Sequence, residues 1–148
     1  MTINPDLPEA HLALGLAKQA KGKSGEAIAQ FRLALEANPN FLEALSCLGA
    51  ALERQGDWEG AKGQFQAALR VNPNDAFSHY NLGVVLSHQG QLEPAINEFR
   101  KAIRLKSDYA DAYYALGLAL ERRGDQKEAR EAFRSAQQLN SGLTPLSK

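Results

Sequence analysis

The sequence predicts an all-α fold, a solenoid of four stacked helix pairs, and three observations carry that prediction. Gly15, Gly49, Gly83 and Gly117 stand 34 residues apart, and Gly22, Gly56, Gly90 and Gly124 keep the same step. Three further columns stay in phase without insertion: Ala27, Ala61, Ala95 and Ala129; Phe31, Phe65, Phe99 and Phe133; Ala34, Ala68, Ala102 and Ala136. Within each period the apolar residues recur at three- and four-residue spacing, which is that of an amphipathic helix. A fixed period of this size marks a stacked-repeat architecture.

The second repeat, Leu42 to Asp75, shows how each element arises. Ala44, Leu45, Leu48, Ala51 and Leu52 line one face of a first helix. Gly56 follows, where a helix end needs a residue that tolerates the left-handed conformation. Ala61, Phe65, Ala68, Leu69 and Val71 give a second helix its apolar side. Pro73 disfavours helical geometry at Asn72, and Asn74 is placed to cap the next helix. Asn38-Pro39-Asn40 repeats this grammar one unit earlier; Lys106-Ser107-Asp108 does so one unit later, with Asp108 as the expected cap.

Glycine inside a helix costs about 1 kcal/mol against alanine. Four of them in register, Gly15, Gly49, Gly83 and Gly117, imply close backbone approach, with the alanines of the second helix as the expected facing surface. The phenylalanine column is then expected to fill the wider gap between neighbouring pairs. A lone pair could not bury these faces, so stability must come from stacking on neighbours.

These residues resemble the tetratricopeptide repeat (TPR) family, whose signature is Leu-Gly in the first helix and Ala-x-x-x-Phe-x-x-Ala in the second, then Pro. The pairs Leu14-Gly15, Leu48-Gly49, Leu82-Gly83 and Leu116-Gly117 match, as do the alanine and phenylalanine columns. Pro39 and Pro73 match the closing proline, which Ser107 and Ser141 replace, and His11, Leu45, His79 and Tyr113 hold the place of the family's early tryptophan. The resemblance covers about residues 8–141 and implies a right-handed α-solenoid of four 34-residue repeats. One domain is expected over 1–148, with repeats at about 8–41, 42–75, 76–109 and 110–143 and a short, frayed tail at 144–148. The strict period argues against the RNA-reading pentatricopeptide family, whose repeat is about 35 residues long.

The two ends read differently. Ile3-Asn4-Pro5-Asp6-Leu7 has the phase of Val71-Asn72-Pro73-Asn74-Asp75, so it reads either as the close of a preceding repeat or as a plain cap for the first helix. At the other end, Gln137 stands in the column of Leu35, Leu69 and Ile103, and Arg130 in that of Ile28 and Ile96. Such a change to polar residues is what a terminal, solvent-facing repeat needs.

Composition narrows the function classes. Seventeen basic residues balance seventeen acidic ones and are interspersed with them, so no overall field draws in nucleic acid or an anionic membrane. No apolar run approaches the roughly 20 residues needed to span a bilayer. Cys47 is the single cysteine, which favours a reducing, cytoplasmic setting. His79 and His88 lie nine residues apart, about two and a half helical turns, whereas a two-histidine metal site wants a spacing of three or four. The glycines do not follow a strand and form no phosphate loop. No enzyme, metal or cofactor is expected. Trp58 is expected to shield a turn, and Gly60 and Gly63 to make their helix the weak point of the array.

The resemblance implies that the first helices line the concave side. By phase that places Leu12, Leu16, Ala50, Arg54, Phe77, Tyr80, Val84, His88, Tyr114, Leu118 and Arg122 on a partner-binding groove. Its middle is apolar and aromatic and its borders are charged, which suits an extended peptide or an amphipathic helix. Chaperone-binding members grip a terminal carboxylate with lysine, asparagine and arginine, but Leu12, Leu16, Ala50, Tyr80 and Val84 stand at those places. The asparagine ladder of the sugar-transferase group is represented only by Asn81. The expected function is therefore a protein-interaction scaffold, monomeric or weakly homo-oligomeric. The alternative is a structural spacer or self-associating segment of a larger protein.

Overall fold

The computed structural model describes residues 6–140, and among these all regular structure is helical. The closing segment before the first helix and the tail at 144–148 fall, wholly or largely, outside the described residues. The chain forms two compact units that meet at Pro73 and Asn74 in sequence. In the first, α1 (Pro8–Ala20) pairs with α2 (Ser24–Ala37), and α3 (Leu42–Arg54) with α4 (Trp58–Val71); α2 also packs on α3. In the second, α5 (Ala76–His88) pairs with α6 (Leu92–Leu105), and α7 (Ala110–Arg123) with α8 (Gln126–Leu139); α6 packs on α7, and α5 touches α7.

Each pair turns at a glycine. Gly22, Gly56, Gly90 and Gly124 have φ between +75° and +101°, the left-handed region that a side chain would strain. The residue after each of these glycines sends its N–H back to the first helix: Asp57 to the Leu52 carbonyl and Gln91 to the Leu86 carbonyl, both at 2.9 Å. These bonds satisfy carbonyls that the helix end leaves open.

The helix starts differ from the sequence expectation. The residue preceding α5 is Asp75 rather than Asn74, and the one preceding α7 is Tyr109 rather than Asp108; neither makes a side-chain capping bond to its helix. One repeat earlier, the Asn38 side chain braces the turn by accepting the Asn40 N–H at 3.2 Å. Asp57 is a true cap, accepting the Gly60 N–H at 2.9 Å.

The phenylalanines also sit elsewhere than expected. They pack inside their own pair, against the glycine, rather than between neighbouring pairs. A Cβ on Gly15, Gly49, Gly83 or Gly117 would come within 2.5–2.7 Å of the ring of Phe31, Phe65, Phe99 or Phe133. All four rings are buried, as are both alanine columns of the second helices. The missing side chain therefore makes room for a ring, and the four rings are the largest fully buried side chains among the described residues.

Candidate partner-binding site

Tyr80, Val84 and Ser87 follow one another at four and three residues on α5, and Asp111, Tyr114 and Leu118 at three and four residues on α7. That spacing puts each set on one helix face. The two faces enclose a hollow of about 240 Å³, lined by Tyr80, Val84, Ser87 and His88 of α5, Phe99 of α6, and Asp111, Tyr114, Ala115 and Leu118 of α7. Its walls are apolar and aromatic, with Ser87, His88 and Asp111 supplying the polar groups.

Neighbouring rings, two of them buried, brace the two tyrosines. Tyr80 lies 6.1 Å from Phe99 and 5.1 Å from Tyr109, centroid to centroid, and Tyr114 lies 5.5 Å from Phe133. All three contacts are tilted, a favourable arrangement for ring quadrupoles. The hollow therefore has stiff walls. Burial pushes the Tyr109 phenol well above the usual tyrosine range, and Tyr80, Asp111 and Asp75 reinforce the shift.

Arg122 is exposed, yet it is engaged within the unit. Its Nη1 donates to the carbonyl oxygen of Ser87 and to the Ser87 hydroxyl, both at 2.9 Å, tying the end of α7 to the end of α5. Arg54 has the same role in the first unit, where the Gln19 amide oxygen, turned toward it, accepts from the guanidinium and joins α3 to α1. Beside it, burial raises the Glu53 carboxyl above the ordinary range, with Arg54 acting in the opposite direction.

The other expected site residues are spread out. In the first unit Leu12 is buried and has almost no surface to offer, whereas Leu16 is 40% exposed and Ala50 half-buried. Phe77 is 45% exposed at the start of α5 and is not part of the hollow's lining. Tyr80, Val84, His88, Tyr114 and Leu118 do come together. Phe99 and Ala115 are lining residues that the groove reading by phase did not include.

Cys47 on α3 is half-buried, and burial, then Glu43, raises its thiol against the pull of Arg54; this disfavours the reactive thiolate. Among the described residues no group of three His, Cys, Asp or Glu side chains could hold a metal ion. No described helix is long and apolar enough to cross a membrane.

Comparison with known families matches this geometry. Models described as tetratricopeptide repeat match residues 8–41, 42–75, 65–96 and 110–143, and a model described as TPR repeat matches 86–124. The chain belongs to the tetratricopeptide repeat family. A search of curated protein sequences gives no match. Among solved structures, a crystal structure of MamA is 28% identical with a TM-score of 0.86, covering 94% of this chain and 81% of that one. A MamA from Desulfovibrio magneticus RS-1, residue 41 to its end, is 28% identical with a TM-score of 0.84, covering 93% and 77%. MamA MSR-1, at 22% identity and a TM-score of 0.78, shares the fold. The chain is an all-α helical-repeat protein and, in general terms, a protein-interaction scaffold.

Proposed function

We propose that this tetratricopeptide repeat chain binds a segment of a partner protein, an extended peptide or an amphipathic helix, with the hollow between α5 and α7 as its anchor point. The observation that carries this reading is the meeting of Tyr80, Val84, Phe99, Tyr114 and Leu118 around one partly exposed cavity. Exposed apolar area in a concavity is costly to leave wet and marks a contact surface. Burying one leucine or phenylalanine there would contribute about 1.5–3 kcal/mol. A useful affinity therefore needs further contacts. Ser87, His88 and Asp111 supply polar partners at the hollow. The braced tyrosines lose little freedom on binding, which favours affinity.

The test is selection of peptides from a random library against the intact chain, followed by titration of the selected peptides against Val84→Asp and Leu118→Asp variants. Peptides with an aliphatic or aromatic anchor are expected, losing at least about tenfold in affinity to either variant, or about 1.4 kcal/mol. Unchanged affinity in variants that keep the wild-type helical circular dichroism would rule out the hollow as the anchor.

A further inference from the structure

The hollow between α5 and α7 has a charge of opposite sign at each end. Asp111, in the first turn of α7, lines it at one end and is exposed. At the other end Ser87 and His88 stand in the last turn of α5, and Ser87 holds the exposed Arg122 guanidinium through its carbonyl oxygen and its hydroxyl. Those acceptors are neutral, so they orient the guanidinium and leave its charge unmatched. Among the described residues neither Asp111 nor Arg122 has an ion-pair partner. Elsewhere in the same unit acids and bases do pair: Glu93 with Arg123 at 2.7 Å, Glu128 with Arg100 at 2.9 Å and Glu98 with Lys101 at 3.2 Å.

Size and charge together define what fits. At about 240 Å³ the hollow is smaller than the roughly 300–1,000 Å³ of small-molecule sites. It suits one side chain of a segment that continues past it on both sides. Asp111 and Arg122 stand on one helix, and its rise puts their backbones about 16 Å apart. An extended segment advances about 3.3 Å per residue and turns every second side chain to the same face. Residues i, i+2 and i+4 of such a segment therefore span about 13 Å on one face, and the lengths of the charged side chains make up the difference. A helix would put about three turns between the same two charges and would bring several apolar side chains to a hollow with room for one.

We propose that the second unit recognises an extended segment of a partner protein with the pattern basic-x-apolar-x-acidic. The basic side chain meets Asp111, the apolar one enters among Tyr80, Val84, Tyr114 and Leu118, and the acidic one meets the Arg122 guanidinium beside Ser87. This rests on the hollow being the anchor point and adds the residues that set register. Reversing such a segment would put its acid at Asp111 and its base at Arg122. Charge therefore fixes direction and register while the apolar contact supplies affinity.

The probe is a capped synthetic heptapeptide with lysine, phenylalanine and glutamate at its second, fourth and sixth positions and serine at the others. It is titrated to about 1 mM, an ordinary concentration for weak binding, into the isotopically labelled full chain and followed by amide NMR. Replacing its lysine or its glutamate by glutamine is expected to weaken binding about two- to fivefold each. Asp111→Asn should weaken the charged peptide by the same factor but not the lysine-free one, and Arg122→Gln should spare only the glutamate-free one. Melting curves verify that both variants fold, and the peptide substitutions test the same pairs on the unaltered chain. Raising the salt from about 20 to 500 mM should remove the advantage of the charged peptide.

Equal binding of all three peptides, with Val84→Asp still abolishing it, would overturn the charge pattern and leave the hollow as the anchor. Binding indifferent to Val84→Asp would remove the anchor and the pattern with it. No binding of the charged peptide at about 1 mM, or tighter binding of a helical peptide with the same charges three turns apart, would also overturn the proposal.

Discussion

The ring of Phe99 lies so close to Gly83 that a Cβ on that glycine would stand 2.6 Å from its Cε1 atom. No side chain fits there without moving a ring that is 1% exposed. Alanine at position 83 gains up to about 1 kcal/mol of helix propensity, but overpacking a filled core costs about 1–3 kcal/mol. Gly83→Ala is therefore expected to destabilise the fold by about 1–2 kcal/mol. Adding Phe99→Leu should make the glycine substitution less harmful than it is alone. Urea unfolding of the two single variants and the double variant closes the cycle; additive losses would mean that the two positions do not compete for space.

Gly63 is the opposite case. It lies inside α4, is exposed, and a Cβ there would meet nothing within 4 Å. Gly63→Ala is expected to stabilise the chain by about 0.5–1 kcal/mol, through helix propensity and a less flexible unfolded state. Amide exchange in α4 should slow with it. A variant no more stable than the parent would show that α4 is not limited by its glycines.

The 34-residue step exposed the four helix pairs because one packing solution, glycine under phenylalanine, was used four times. Which partner the phenylalanine chose was not legible: periodicity places residues on faces but does not say whether a face meets its own pair or the next. A second regularity, at twice the step, passed unread. His11 and His79 stand 68 residues apart, and each meets a residue 19 further on, Gln30 at 2.9 Å and Glu98 at 2.6 Å. Arg54 and Arg122 share that spacing, and so do the residues they tie back to, Gln19 and Ser87. Reading Arg54 and Arg122 as rim charges missed that both are engaged within their own units. The hollow was legible in outline, because Tyr80, Val84, Tyr114 and Leu118 follow the helical spacing. Phe99 was not, because only the packing of α6 brings its ring to the wall.

The doubled regularity makes a prediction at His79. This residue is 8% exposed, in the column where Leu45 is 4% exposed, and its Nδ1 lies 2.6 Å from a Glu98 oxygen; the other oxygen of that carboxylate accepts from Lys101 at 3.2 Å. Removing the acceptor with Glu98→Ala is expected to cost about 1–2 kcal/mol, because a buried polar group loses its hydrogen bond. The double variant His79→Leu, Glu98→Leu replaces the polar pair with apolar side chains, leucine being what the second repeat has at position 45, and should recover most of that loss. Chemical denaturation at neutral pH reads both. A double variant weaker than Glu98→Ala would show that this pair contributes more than apolar packing can replace.

Tyr109 sets an alkaline limit. Its ring packs 5.1 Å from Tyr80 with the Lys106 ammonium 4.8 Å from its centroid, and burial, then Tyr80, Asp111 and Asp75, raise its phenol above the ordinary value. In the unfolded chain that phenol titrates near its ordinary value of about 10. Above that pH the unfolded state gives up a proton that the folded state keeps, so it binds fewer protons and stability falls as pH rises. The contribution is fully present below about pH 10 and drains away between there and the raised folded value. Tyr109→Phe keeps the ring and the cation contact but removes the titrating hydroxyl. The difference in unfolding free energy between parent and variant should stay flat up to about pH 9 and then move steadily in the variant's favour through pH 11. Groups common to parent and variant largely cancel in that difference. A difference that stays constant from pH 8 to 11 would mean that this phenol is as free to ionise in the fold as out of it.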